Sequence, residues 1–572
     1  MPWRDAMCGE LRADDSGRRV TLAGWTDTRR DHGGLVFVDL RDHTGKTQLV
    51  INPERAPAAA EFAHEIRNEF VLQATGEVVP RAPEAINPNL PTGQIEVQVD
   101  ELRILSRSTA LPFQLDEEGV DENLRLRYRW LDLRTERMQR NLRLNHTAVA
   151  GIRRVMDERG FVDVWTPSLT RGTPEGARDF LVPVRLQPGN FFALAQSPQL
   201  FKQLCMIGGI DRYYQIATCW RDEDLRADRQ FEFRQLDFEM AFVERADVLD
   251  VMEASVVGAF EAAGVEPPQR PFPHLSYADA MLRYGTDKPD LRFGLEIQDA
   301  TEVTRGSEFG VFKNAPCVRY VVVPRTFSRT EQGRLEELAK EWGAKGLANL
   351  TQISKFLSER ELEAFGVPEG STALFVADEE PVAARVLGFL RLHLAHELDL
   401  VPGDLDVFHW VTDFPLFEQS EEFGGWTFMH HAFTAPLAGY EETLEAEPAH
   451  ALSQHYDLIW NGWELGSGSI RIHRADVQQA VFRVMGMSEE EQRSKFGYLL
   501  DALQMGAPPH GGFAMGIDRF IALLAREPDI RQVTAFPKIA SGSDPLTGAP
   551  TPFPDSALRE LGIRLLEPPQ PE

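Results

Sequence analysis

The residues with the most chemical content cluster in Tyr213–Met240, YYQIATCWRDEDLRADRQFEFRQLDFEM, where two strand-like runs flank a charged loop. Alternation along the second run sets Phe233, Gln235, Asp237 and Glu239 on one face. An aromatic among amides and carboxylates suits a pocket floor that stacks a flat base better than it suits a solvated hairpin face. In Tyr456–Ile472, YDLIWNGWELGSGSIRI, the pair Asn461-Gly462 signals a tight hairpin. A two-residue loop pairs Ile459 with Glu464 and leaves Asp457 diagonal to Glu464. Two such hard carboxylates could hold Mg²⁺ together with substrate phosphates, and two exposed acids are the equally simple alternative. Parity puts Arg471 on the face away from Glu464 unless Gly466 or Gly468 carries a bulge.

Three shorter segments add to these. Gln196–Gly209, QSPQLFKQLCMIGG, reads as a helix with Ser197 as N-cap, Pro198 at its first position and Gly208-Gly209 ending it. Gln199 and Lys202 lie on one side of it, and Lys202 taken alone is a surface lysine. GGFAMGIDRFIALL is a glycine-rich approach to a helix with Arg519 in its first turn, suited to a polyphosphate, although packing explains many such turns. His430 and His431 should alternate sides of a strand, which argues against a joint metal site and for core or pocket histidines.

The elements that must position these residues are many, because 572 residues exceed what one core can organise; about three to five domains are expected. The formal charge of −28 repels phosphate backbones, so a nucleic-acid partner must meet a local basic patch. The scattered Cys8, Cys205, Cys219 and Cys317 match no zinc spacing and fit a reducing compartment. The N-terminus has no apolar signal core and no run approaches the ~18 apolar residues that span a bilayer, so a cytoplasmic protein without membrane contact is expected.

The fold class is α+β. Up to Ser106, five short strands and one helix suggest an OB-type Greek-key barrel. On LVFVDL, Val36, Val38 and Leu40 point inward and Phe37 outward, where it can stack an unpaired base. Between Arg125 and Arg143 seven arginines face only Asp132 and Glu136, either a solvated hinge helix or an RNA contact. Longer helices then alternate with strands to about Asp290. A stretch from Leu291 to His409 lacks the acid, His and Arg clusters and reads as an insertion, after which the earlier character resumes and ends in a loose Pro-rich tail. The expected boundaries are 1–107 for the barrel, 108–140 for a hinge, 141–290 and 410–572 for the two parts of the main domain, and 291–409 for the inserted α+β domain.

Taken together, GFVDVWTPSLT, WRDED to EFRQLDFE, and GGFAMGIDR resemble, in order, the three signature motifs of class II aminoacyl-tRNA synthetases. TPEGARDF, QSPQLFKQ, MHHAFTAP and NGWELGSGSIRIH narrow the resemblance to the bacterial-type aspartyl-tRNA synthetases over nearly the whole chain. It implies ATP and L-aspartate as substrates, Mg²⁺, tRNA(Asp) as partner, an anticodon-binding OB domain, an antiparallel-sheet catalytic domain, and a homodimer formed through the Pro167 segment. Arg221 would bridge the α-phosphate and the amino-acid carboxylate, Phe233 would stack adenine, and Arg519 would hold the γ-phosphate; Arg221 and Arg519 are thus the implied catalytic residues. Asp222, Gln230, Gly516, Ile517 and Asp518 would also contact ATP, with Glu223, Asp457 and Glu464 around its magnesium. Lys202, oriented by Asp237, and Arg471 would grip the substrate side-chain carboxylate. Glu175, Ser197 and Gln199 would receive the ammonium, and His430 and His431 would close the pocket. Arg30, Phe37 and Gln48 match anticodon-reading positions, and Arg226 and Arg229 would approach the acceptor end.

The chain departs from the family at Phe231, where Pro is usual, at Arg234 (Thr), Trp220 (Phe), Gly172 (Ser) and Ser467 (Gly). None replaces an implied catalytic residue, so activity with an altered pocket wall is expected. His32 stands where many tRNA(Asp)-restricted members carry Leu, which leaves charging of both tRNA(Asp) and tRNA(Asn) open.

Overall fold

The computed structural model describes residues 3–115, 117–172, 177–420 and 424–566. The chain divides into two compact units, residues 1–140 with 544–548, and 141–543 with 549–572.

In the first unit, strands Arg19–His32, Leu35–Asp42, Gly45–Ile51, Ile95–Ser106 and Val71–Pro80 close, in that order, into a five-stranded OB-fold barrel. The period-2 pattern is the cause: Val20, Leu22, Val36, Val38, Leu40, Leu49 and Val97 share its core, and the helix Pro57–Ala63 adds Ala59, Ala60 and Ala63. Beyond the barrel, two members of the arginine run are engaged within the protein. Arg129 is 1% exposed and paired with Asp132, while Arg134 reaches Glu69 at 2.8 Å and lies 5.1 Å over the Trp25 ring.

The second unit is built on an eight-stranded sheet. Its order is His274–Ser276, Phe408–Thr412, His455–Trp460, Trp463–Ile470, His510–Gly516, Glu232–Ala241, Arg212–Trp220 and Val162–Asp163. Only the pairs at its two edges are parallel. One face is apolar: Leu236, Phe238, Met240, Tyr456, Leu458, Phe513 and Met515 pack on helices Glu136–Glu158, Arg245–Ala263 and Ile517–Leu524. The other face carries the polar side chains at the alternate positions.

Between the strands His274–Ser276 and Phe408–Thr412 the chain forms a separate antiparallel sheet of Ile297–Asp299, Cys317–Val323, Thr372–Asp378 and Ala348–Asn349. Val321, Leu335, Leu374, Leu387 and Leu390 give it its own core.

Candidate functional site

The polar face of the large sheet is assembled from two hairpins and one helix. In the first hairpin Cys219 stands opposite Phe233, Ala217 opposite Gln235, Gln215 opposite Asp237 and Tyr213 opposite Glu239, which holds Phe233, Gln235, Asp237 and Glu239 on one face as the alternation predicts. The second hairpin turns at Asn461 (φ 52°) and Gly462 (φ 80°), the left-handed pair that a two-residue turn requires. Ile459 pairs with Glu464, but Asp457 pairs with Ser467. Leu465 is therefore the extra residue, so the bulge that parity requires for Arg471 to share this face falls just ahead of Gly466 and Gly468. The slip returns Ser467, Ser469 and Arg471 to the face that carries Asp457 and Glu464.

Lys202 is not the surface lysine that its own segment suggests. Its helix, Gln199–Ile207, directs the side chain inward, where it is 1% exposed, with Nζ 2.7 Å from Asp237 Oδ1 and 3.2 Å from Glu239 Oε2. The helix also starts one residue late, with Pro198 rather than Ser197 as N-cap; the Ser197 hydroxyl accepts from the Gln199 N–H at 2.9 Å. Arg471 reaches the same acid from the other hairpin, Nε donating to Glu239 Oε1 at 2.9 Å and the guanidinium also to Oε2 at 3.2 Å. Glu239 thus joins both cations, a role that alternation placed on the right face without assigning. Gly512 on the neighbouring strand makes room for it, since a Cβ there would lie 2.1 Å from Glu239 Oε2. Burial raises the Asp237 carboxyl and Lys202 only partly offsets it, whereas at Glu239 Arg471 and then Lys202 overcome burial and hold the carboxyl below its usual range.

His430 and His431 do not sit on a strand; they follow Gly425–Phe428 in a bend. His431 Nε2 lies 2.8 Å from the Arg471 guanidinium, and His430 stacks on His455 with ring centroids 3.4 Å apart. His455 Nε2 is 2.7 Å from Asp457 Oδ1. Burial pushes Asp457 up to about 7 and both His430 and His455 down to about 3. Glu464 is likewise raised, by desolvation and then by Asp457, which Lys288 at 3.8 Å and Arg519 only partly offset. The two carboxylates are therefore short of positive charge, and the donor set fits a hard divalent cation. Among the described residues no group of three or more His, Cys, Asp or Glu could hold a metal alone. Such an ion must bring further oxygens with it, as one bound to phosphates does.

At the far end of this face the Arg221 guanidinium lies 5.1 Å over the Phe233 ring. Arg519, in the first turn of Ile517–Leu524 after Gly516, donates to the Glu464 carbonyl and stands 3.0 Å from Asp228 Oδ2, a partner nothing in the sequence signals. Asp518 accepts from the Arg234 N–H at 3.1 Å and pairs with the Arg234 guanidinium. Gln230 is buried, exchanging hydrogen bonds with the Lys538 main chain at 2.8 and 3.1 Å. A cavity of about 750 Å³ borders this end of the strand Glu232–Ala241, lined among others by Gln230, Phe233, Arg234, Asp518 and Lys538 and, from the helix Glu136–Glu158, by His146 and Val149. In the loop between the strands Glu223 pairs with Arg229 at 3.1 Å, Arg226 and Arg229 form a bridge, and the Asp222 N–H donates to the Arg178 carbonyl at 3.1 Å. Glu175 lies outside the described residues.

On the barrel of the first unit, Arg30 stands opposite Phe37, and Gln48 opposite Asp39, so Arg30, Phe37 and Gln48 share a face. Arg30 reaches Asp39 at 2.9 Å and Gln48 at 3.3 Å, and the His32 ring sits 6.1 Å from that of Phe37.

Residues 121–540 match the family described as tRNA synthetases class II (D, K and N), and residues 20–105 match the OB-fold nucleic acid binding domain. The chain is 47% identical over 587 residues to an aspartate--tRNA ligase of Geobacillus kaustophilus, covering 99% of each. It is 49% identical over 589 residues to an aspartate--tRNA(Asp/Asn) ligase of Rubrobacter xylanophilus, covering 100% of this chain and 98% of that one. In fold it resembles the asparaginyl-tRNA synthetase of Pyrococcus horikoshii complexed with asparaginyl-adenylate, with a TM-score of 0.60, 20% identity, and coverage of 93% of this chain and 97% of that one.

Proposed function

The chain belongs to the class II tRNA synthetases of the D, K and N group, and from that premise we propose that it is an aspartate–tRNA ligase. It joins L-aspartate and ATP into aspartyl-adenylate, releasing pyrophosphate, and then passes aspartate to the 3′ end of tRNA(Asp). The observation that carries this reading is the buried cation pair Lys202 and Arg471, both anchored on Glu239. A substrate side-chain carboxylate can pair with both cations, whereas the neutral amide of asparagine brings them no charge, the kind of polar mismatch that a binding site rejects strongly.

In the first step the aspartate α-carboxylate attacks the α-phosphorus in line while pyrophosphate leaves. Two anions must meet, so the work of the protein is to cancel charge and fix geometry, with no side-chain nucleophile. Arg221 spans the two reacting groups, Phe233 stacks the adenine, and Arg519 holds the γ-phosphate once it exchanges Asp228 for the nucleotide. Asp222, Gln230 and the Gly516–Asp518 turn line the nucleotide's path. Asp457 and Glu464, with Glu223 near, would hold Mg²⁺ bound to the phosphates, where it supplies positive charge against the departing pyrophosphate. Lys202 and Arg471 take the side-chain carboxylate, Asp237 orients Lys202, Glu175, Ser197 and Gln199 receive the ammonium, and His430 and His431 wall the pocket as neutral rings. In the second step the terminal ribose hydroxyl of the tRNA attacks the adenylate carbonyl and AMP leaves. Arg226 and Arg229 approach the acceptor end, and Arg30, His32, Phe37 and Gln48 read the anticodon.

The enzyme acts as a homodimer in the cytoplasm. The segment around Pro167 supports the pairing, because Trp165 is 82%, Val162 53% and Leu169 46% exposed, with exposed Leu181, Phe191 and Phe192 on the adjoining small strands. No helix among the described residues is long and apolar enough to cross a membrane. Residues 291–409 form an inserted domain between the two parts of the catalytic domain, 141–290 and 410–572, with 1–107 as the anticodon-binding domain and 108–140 as hinge. The test is ATP–pyrophosphate exchange with single amino acids. Exchange is expected with aspartate and at least about 10³-fold less with asparagine; comparable exchange with both contradicts the assignment of Lys202 and Arg471.

A further inference from the structure

We infer that Phe231 is a positioning residue for aspartate binding, acting through an aromatic contact with Phe180 that fixes the Ala177–Phe180 segment beside the amino-acid pocket. The inference rests on the reading of the site as an aspartate-activating centre. It concerns a residue where the resemblance leads one to expect Pro, so the ring is this chain's own feature.

Ala177–Phe180 follows in sequence the TPEG stretch that contains Glu175, and it is tied to Gln196, the neighbour of Ser197. Four contacts among the described residues hold it, the first being the Leu194 N–H, which donates to the Phe180 carbonyl at 2.9 Å. The Gln196 amide, 2% exposed and next to Ser197, donates to the Ala177 carbonyl at 2.9 Å and to Asp179 Oδ1 at 2.6 Å. The Arg178 carbonyl accepts from the Asp222 N–H at 3.1 Å, tying the segment to the loop that follows Arg221. The Phe180 ring meets Phe231 edge to face, with centroids 5.4 Å apart and planes at 80°. Of these four, only this last contact is apolar, and it fixes the Phe180 side chain where the Leu194 hydrogen bond fixes its main chain; an edge-to-face pair of this kind contributes beyond its buried area.

Phe231 is itself held from behind. A Cβ on Gly542, whose φ is +80°, would lie 2.7 Å from Cε2 and 2.9 Å from Cζ of the Phe231 ring, so the ring rests against bare backbone. Its main chain has a different task, because the Phe231 carbonyl accepts from the Arg221 N–H at 2.9 Å. The two functions separate under mutation. Truncating the side chain frees the Phe180 ring, though not its main chain, and leaves the carbonyl that holds Arg221 in place. The ring therefore serves the aspartate side of the site, and the main chain serves the residue shared with ATP.

The test compares Phe231→Ala, Phe231→Tyr and Gly542→Ala with the unmodified full-length protein in steady-state ATP–pyrophosphate exchange, alongside limited trypsin digestion without substrates. Phe231→Ala is expected to raise KM for aspartate at least fivefold, with KM for ATP and kcat within twofold, and to speed cleavage after Arg178. Phe231→Tyr keeps the ring and restores both readouts; Gly542→Ala, which displaces the ring, moves them in the same direction as the truncation. An unchanged aspartate KM with unchanged cleavage overturns the inference, and so does an equal rise in both KM values with a fall in kcat, the pattern of general loosening. If the unmodified protein shows no aspartate-dependent exchange, the functional reading fails first, and the trypsin comparison still decides whether Phe231 anchors the segment.

Discussion

Lys202 Nζ lies 2.7 Å from Asp237 Oδ1, and both side chains are 1% exposed. Thirty-five positions apart in sequence, they meet because the helix Gln199–Ile207 packs on the polar face of the strand Glu232–Ala241. With Arg471 and Glu239 they form two cations against two carboxylates, a balanced set that an arriving substrate carboxylate can join.

Removing one member strands a buried charge. Lys202→Met should abolish aspartate-dependent exchange and destabilise the protein by about 3–5 kcal/mol, while Lys202→Met with Asp237→Leu should recover much of that stability without recovering activity. Urea unfolding at neutral pH reads the first effect. A loss below about 1 kcal/mol would mean that the pair is more hydrated than its geometry implies.

At the phosphate end, Arg519→Ala should reduce exchange at least about 100-fold, the scale of losing a charge that acts in the transition state, and leave tRNA binding within twofold. Filter binding of labelled tRNA supplies the second number. Full exchange in the variant would sink the γ-phosphate assignment.

How far the sequence reaches is clear from these residues. A period of two is local, so the face carrying Phe233, Gln235, Asp237 and Glu239 and the barrel alternation around Phe37 were both legible. What escaped depends on tertiary context. Lys202 carries no local sign of its partners; the bulge at Leu465 is a register slip set by neighbouring strands; His430 and His431 leave strand geometry one residue after Phe428. His455 could have been found, since it shares a face with Asp457 two residues on. Asp228 could not, because a loop has no period to read.

Acid should destabilise the protein through its buried histidines. His409 is 1% exposed, and desolvation lowers it from 6.5 to about 4. The unfolded chain then binds more protons than the folded one between those values, so the stabilisation is complete above about pH 6.5 and is lost as pH falls through 4. His409 contributes a slope of up to about 1.4 kcal/mol per pH unit in that window. His409→Leu should therefore show a flatter fall in Tm between pH 7 and pH 5 than the unmodified protein; parallel curves would contradict its neutral burial.

The apolar surface around Pro167 predicts assembly. Trp165→Asp should shift sedimentation toward the monomer and lower exchange, as expected if the exposed Trp165 is covered in the dimer. A dimer of unchanged affinity would place the interface elsewhere.

The most direct test is attachment of aspartate to purified tRNA(Asp) and tRNA(Asn), assayed in parallel with ATP and Mg²⁺. Aspartate should accumulate on tRNA(Asp), and the tRNA(Asn) arm reports whether His32 beside Phe37 relaxes anticodon reading. Charging of neither tRNA by protein that is folded and binds tRNA would contradict the account at its centre.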